Sequence, residues 1–185
     1  MDGHFTGYAS LFGVPDLGRD VVAPGAFADS LRRRGPGGVR MLWQHDPAEP
    51  IGRWLSLSED GRGLRVAGRL NLGVQRAREI DALLREGGLD GLSIGFRTLQ
   101  ARPRGGYRHL HALDLWEVSL VTFPLQPGAR VARRPLSAEM RAFARRLAPV
   151  RSAPSRATAA QAAGGGRIVS GAHGAAPASR WRGPG

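Results

Sequence analysis

Apolar and polar positions alternate along several short stretches of this chain, the pattern of strands buried on one face. Residues 39–45 show it most clearly, with Val39, Met41, Trp43 and His45 on one side. Residues 5–12, FTGYASLF, have the composition of a strand. Residues 51–58 and 64–70 flank Glu59-Asp60-Gly61-Arg62-Gly63, a hairpin signal. Residues 92–99, 107–113 and 115–122 predict three further strands. Arg102-Pro103-Arg104-Gly105-Gly106 joins the first two of these. Residues 16–24 read as a loop.

Two segments switch to helical spacing. Residues 25–34, GAFADSLRRR, predict a short helix stopped by Gly35-Pro36-Gly37-Gly38. In residues 74–85, Val74, Ala77, Ile80, Leu83 and Leu84 fall on one helical face, and Gly87-Gly88 ends the run. A third helix is expected near residues 136–148, with Ser137 as its N-cap. Six or seven strands with two or three helices predict a β-rich α+β fold. The expected form is a mostly antiparallel, closed or nearly closed β-barrel with the helices attached.

Composition divides the chain. Residues 1–135 hold the barrel. In residues 149–185, Ala, Gly, Pro and Ser dominate and five Arg stand without an acid. So little apolar surface predicts a disordered basic tail. The 185 residues carry a net charge of +12, and all 27 basic residues are Arg. With no Lys, lysine general-base and Schiff-base chemistry are excluded. With no Cys, disulfides, thiolate metal sites and a cysteine nucleophile are excluded too. No run approaches the roughly 20 apolar residues of a membrane-spanning helix, and the N-terminal sequence has no secretory pattern. Neither a cofactor nor a membrane partner is expected.

Several side chains stand out as chemistry placed on core-building strands. His45 ends an apolar strand face, and its imidazole suits a general base near neutral pH. The bland alternative is a hydrogen-bonded edge histidine. Ser93 lies in Gly91-Leu92-Ser93-Ile94-Gly95. Its small hydroxyl is either a nucleophile or a spacer where another element packs closely. The segment also fits the G-x-S-x-G pattern, but a helix precedes and a strand follows, the reverse of a nucleophile elbow. Glu117 sits in the apolar run Leu115 to Val121, where a carboxylate needs a partner. That partner is an imidazole to be oriented or an Arg. His109 and His111 compete for the same orienting role, and Ser119 competes as nucleophile. No third ligand at a suitable spacing makes a metal site of the two histidines.

The phrases around these residues resemble the HK97-like phage prohead protease family, the capsid maturation proteases. They are Gly7-Tyr8-Ala9-Ser10-Leu11-Phe12, residues 22–27, Trp43-Gln44-His45-Asp46, Pro50-Ile51-Gly52, residues 91–96, and residues 117–124 beginning Glu117-Val118-Ser119. They run in the family's order across about residues 5–130. The Arg- and Ala-rich composition also resembles gene transfer agent versions. The resemblance implies an assemblin-like serine protease with His45 as base, Ser93 as nucleophile and an acidic third member, for which Glu117 is chosen over His109 and His111. It further implies that the enzyme cuts the scaffolding part of the major capsid protein, and then itself, inside assembling proheads in the cytoplasm. A homodimer fits this picture, and no specific nucleic acid is implied. The competing reading is a non-catalytic, basic capsid-associated or nucleic-acid-binding module. It rests on the +12 charge and Arg32-Arg33-Arg34, and few aromatics support it.

Overall fold

Alternating burial along the strands curls one seven-stranded sheet around an apolar interior. The computed structural model describes residues 3–132. The helix expected at 136–148 and the tail expected at 149–185 lie outside the described residues. In chain order the elements are β1 (His4–Leu11), β2 (Asp20–Val22), α1 (Ala28–Arg34), β3 (Arg40–Trp43), β4 (Asp46–Glu59), β5 (Gly63–Leu70), α2 (Gln75–Glu86), β6 (Gly91–Arg104) and β7 (Tyr107–Val121).

The strand order is β1-β5-β4-β3-β7-β2, and β6 pairs with β7. Most pairings are antiparallel, as expected, but β2 and β3 both run parallel to β7. The core is packed from Phe27, Met41, Ile51, Leu64, Ile80, Leu92, Leu110 and Leu120, none of them more than 1% exposed. Burying each such side chain contributes about 1.5–3 kcal/mol.

Residues 129–132 close the curl where β1 and β6 approach. Arg130 O accepts from Tyr8 N at 3.0 Å, and Ala132 N donates to Thr6 O at 2.7 Å. On the other side, Leu92 N donates to Ala129 O at 3.0 Å and Val131 N to Asp90 O at 2.7 Å. Gly7 makes this approach possible, since a Cβ there would lie 2.4 Å from Arg130 O.

Three local expectations need correction. Residues 16–24 are not all loop, because Asp20–Val22 adds a short strand beside β7. Its composition alone is too brief a signal for a strand. Residues 107–113 and 115–122 are one strand, Tyr107–Val121, running straight through Asp114. Thirdly, the strand expected over 39–45 ends at Trp43, so His45 lies in the following turn.

Asp114 can sit inside a strand because cations neutralise it there. Arg34 of α1 donates from Nε to Oδ1 and from Nη2 to Oδ2, both at 2.9 Å. Trp116 Nε1 donates to Oδ2 at 3.0 Å. Arg33 and Arg97 lie 3.5 and 3.7 Å away. Ser30, also on α1, accepts the Leu115 N–H at 2.8 Å. The Arg-rich end of α1 is thus fastened to the middle of β7, fixing that strand's register.

The Arg34 hydrogen bond, above all, holds the Asp114 carboxyl below the usual carboxylate range. A depressed carboxyl stabilises the fold fully above its unfolded value and loses that contribution as pH falls through the folded one. Asp114→Asn is therefore expected to lower stability at neutral pH by about 2 kcal/mol. The gap to wild type should stay constant down to about pH 4 and shrink below it. Urea melts of both proteins across pH check this.

Candidate active site

Trp43 pairs with Asp46, so Gln44 and His45 are the two central residues of the β3–β4 hairpin turn. Their φ values are 52° and 62°, both positive, as a type I′ turn requires. Residues with side chains disfavour that region by about 1–2 kcal/mol each. The end of β7 holds them there. Gln44 N donates to Leu120 O at 3.0 Å, and Gln44 Nε2 to Thr122 Oγ1 at 2.7 Å. His45 N donates to Ser119 Oγ at 3.1 Å.

The same turn aims the imidazole at β7. His45 Nδ1 lies 2.5 Å from Glu117 Oε1. Ser119 Oγ donates to Glu117 Oε2 at 2.6 Å. One serine hydroxyl therefore holds both the carboxylate and the backbone of the histidine. Glu117 is 12% exposed at its side chain and His45 38%, so the pair is sheltered on the carboxylate side and open on the imidazole side. With the carboxylate ionised and the imidazole neutral, this contact places the proton on Nδ1 and leaves the Nε2 lone pair free.

Ser93 is brought to this face by register. On β6 it lies directly opposite Ser119, and Gly95 lies opposite Glu117. Ser93, Ser119 and Glu117 consequently share one side of the sheet. Gly95 is what lets the carboxylate lie over β6: a Cβ at that position would stand 2.0 Å from Glu117 Oε1. Among the described residues no hydrogen bond joins His45 to Ser93, a contact that often tightens only when substrate is bound.

The competing residues are placed differently. His109 is opposite Val21 on β2 and Arg102 on β6. It lies eight positions before Glu117 on the same strand, and His111 six before, so both are roughly 20 Å or more from it. Ser119 is fully buried, with its hydroxyl committed to the two bonds above. Among the described residues no group of three or more His, Asp or Glu could hold a metal ion. Arg130 forms an ion pair with Asp90 and donates from Nε to Pro127 O at 2.9 Å.

Sequence reasoning missed two residues of the constellation. Ser119 reads from spacing as a rival of Ser93, though a hydroxyl two positions from a carboxylate on one strand face signals a local hydrogen bond equally well. Gly95 gives no site signal in the sequence, and its place beneath the Glu117 carboxylate becomes visible only through the cross-strand register.

Known proteins share this arrangement of strands and sequence. Residues 1–144 match the family model described as caudovirus prohead serine protease. The chain is 36% identical over 136 residues to the prohead protease of Enterobacteria phage HK97, a match covering 70% of this chain and 59% of that relative's length. Among solved structures, the capsid assembly protease of bacteriophage T4 superposes with a TM-score of 0.54 at 14% identity, covering 65% of this chain and 89% of that one. KSHV protease gives a TM-score of 0.48 at 15% identity, over 77% of this chain and 74% of that one. With its family model spanning most of the sequence, this chain belongs to the caudovirus prohead protease family.

Proposed function

We propose that the chain is a serine endopeptidase that trims the scaffolding part of a major capsid protein inside the assembling prohead. The observation that carries the reading is the hydrogen-bonded series Ser119–Glu117–His45, with Ser93 on the same sheet face. Family membership supplies the capsid context.

Ser93 Oγ attacks the scissile carbonyl, forming the C–O bond, while His45 Nε2 takes the hydroxyl proton. The imidazolium then protonates the leaving amine as the C–N bond breaks, and water hydrolyses the acyl-enzyme by the same route. Glu117 keeps the proton on Nδ1 and stabilises the imidazolium. Ser119 is a positioning residue: it fixes the carboxylate rotamer and holds the strained turn that carries the base.

Co-expression with a major capsid protein that carries its scaffolding part tests this directly. Wild type shortens the capsid protein, whereas Ser93→Ala and His45→Ala leave it full length, an activity loss of at least about 1,000-fold. Full-length capsid protein with wild type, or shortening by Ser93→Ala, contradicts the proposal. Glu117→Gln slows cleavage on the order of 100-fold or more, while His109→Gln and His111→Gln remain near wild type. A reversal of that pattern would make a histidine the third member.

Ser119→Ala is expected to lower kcat about 10- to 100-fold with little change in KM, the cost of a misplaced base. Ser119→Thr, which keeps a hydroxyl, restores most of the loss. Gly95→Ala displaces the Glu117 carboxylate and should lower kcat similarly. Both effects are checked by steady-state kinetics, and a native-like amide NMR spectrum that lacks only the His45 Nδ1–H signal distinguishes them from general unfolding.

A further inference from the structure

One row of the sheet carries basic side chains across four strands. Arg53 of β4 lies directly opposite Arg69 of β5, and His4 of β1 lies opposite Arg69 on its other side. Met41 lies opposite Gly52, which sets Arg40 of β3 beside Arg53. Arg40 is in turn in register with Glu117 of β7. The neighbours along each strand fix which way the row points. Met41, Trp54 and Phe5 pack into the core, with the Trp54 and Phe5 rings edge to face at 5.6 Å. Side chains alternate along a strand, so Arg40, Arg53, Arg69 and His4 stand on the outer face of the sheet. All four are exposed.

Such a row is unfavourable by itself. Like charges directly opposite on neighbouring strands repel, and neighbouring strands are only about 5 Å apart. On other surfaces of the molecule arginine meets a carboxylate: Arg34 meets Asp114, Arg85 meets Asp81, Arg108 meets Asp20 and Arg130 meets Asp90. Among the described residues no carboxylate pairs with Arg40 or Arg53. Arg40 reaches a backbone oxygen instead, that of Gly37, at 3.4 Å. Glu117, at the end of the row, is committed elsewhere. Its oxygens meet His45 and Ser119, and it leans over Gly95 on β6, the side of β7 away from Arg40.

The rest of this face sets the chemistry of what it fits. Thr6, Ala67 and Ser56 stand opposite one another in the next outer row, and Arg65 stands opposite Tyr8 in the one after. Arg53 and Arg69 thus flank one side of a strip of small side chains, and Arg65 flanks the other. The Tyr8 ring is already covered by Arg62, 4.5 Å from its centroid, and its hydroxyl donates to Asp60 at 2.7 Å. Among the described residues this face therefore offers no open ring for a nucleobase to stack on.

We propose that this outer face is a docking surface for an acidic polypeptide segment, whose carboxylates supply the counter-charge that the fold leaves out. A guanidinium holds a carboxylate through paired hydrogen bonds, and the row presents such groups in series at strand spacing. The small side chains beside it let the bound backbone come close. The binding does not require the Ser93 chemistry, so it stands or falls separately from the protease reading.

Fluorescence anisotropy with the full chain tests this with three labelled probes. They are a peptide of alternating Glu and Ser, the same peptide with Gln for Glu, and an oligothymidylate of matching length. The Glu peptide should bind at least about tenfold tighter than the Gln peptide. The double variant Arg53→Glu/Arg69→Glu should weaken the Glu peptide at least about tenfold, and the oligothymidylate less than about threefold. Arg102→Glu/Arg104→Glu makes the same change in net charge at the exposed end of β6. It should weaken the Glu peptide less than about threefold, which separates the row from the general attraction of a chain of charge +12. If the first double variant fails to fold, Arg53→Gln, which removes one of two opposed like charges, should still weaken the Glu peptide about threefold. Equal binding of the Glu and Gln peptides, equal losses from the two double variants, or undiminished binding in Arg53→Gln would each overturn the proposal. An oligothymidylate that loses as much as the Glu peptide would overturn it in favour of a phosphate backbone.

Discussion

The hydrogen bond between His45 and Glu117 joins positions 72 residues apart in sequence, and the surrounding structure is arranged to keep it. A carboxylate on a largely buried strand face is costly unless its oxygens are occupied. Here one oxygen meets the imidazole and the other accepts from Ser119. The same serine oxygen accepts the His45 backbone N–H, so the imidazole and its carboxylate partner cannot drift independently. The turn that carries His45 is strained at two consecutive residues. Its cost is met by contacts to the end of β7 rather than by favourable turn residues.

β7 is the common reference for all of this. It supplies Glu117 and Ser119, receives β3 on one side and β6 on the other, and sets Ser93 opposite Ser119. Its register is fixed three residues upstream by Asp114, held by two bonds from Arg34. The Asp114 cluster therefore acts on the candidate site through the register of β7. Beyond Leu92, β6 pairs with β7 alone among the described residues.

Much of this was legible in the sequence, for identifiable reasons. The long elements are regular: residues 74–85 repeat at helical spacing, and the turn residues 59–63 separate two strands, so α2 and the β4–β5 turn match closely, although β4 begins at Asp46, ahead of the expected residue 51. Errors arose where a charged or polar residue sits inside an element because a distant partner neutralises it. Asp114 looked like a strand break because Arg34 is 80 positions away. His45 looked like a strand terminus because nothing local signals a two-residue turn built from Gln and His. Gly95 and Ser119 have meaning only across the β6–β7 register, which composition does not encode. The resemblance to a known family pointed to His45, Ser93 and Glu117, while their mutual placement came from the fold.

The central claim is that the Ser93 hydroxyl is activated by the His45 imidazole. Treatment with diisopropyl fluorophosphate followed by peptide mapping addresses it most directly, since the reagent reports nucleophilicity without needing the natural substrate. The account predicts a single adduct on Ser93 that disappears in His45→Ala. An adduct on Ser119, or labelling of Ser93 that persists unchanged without the imidazole, would contradict it.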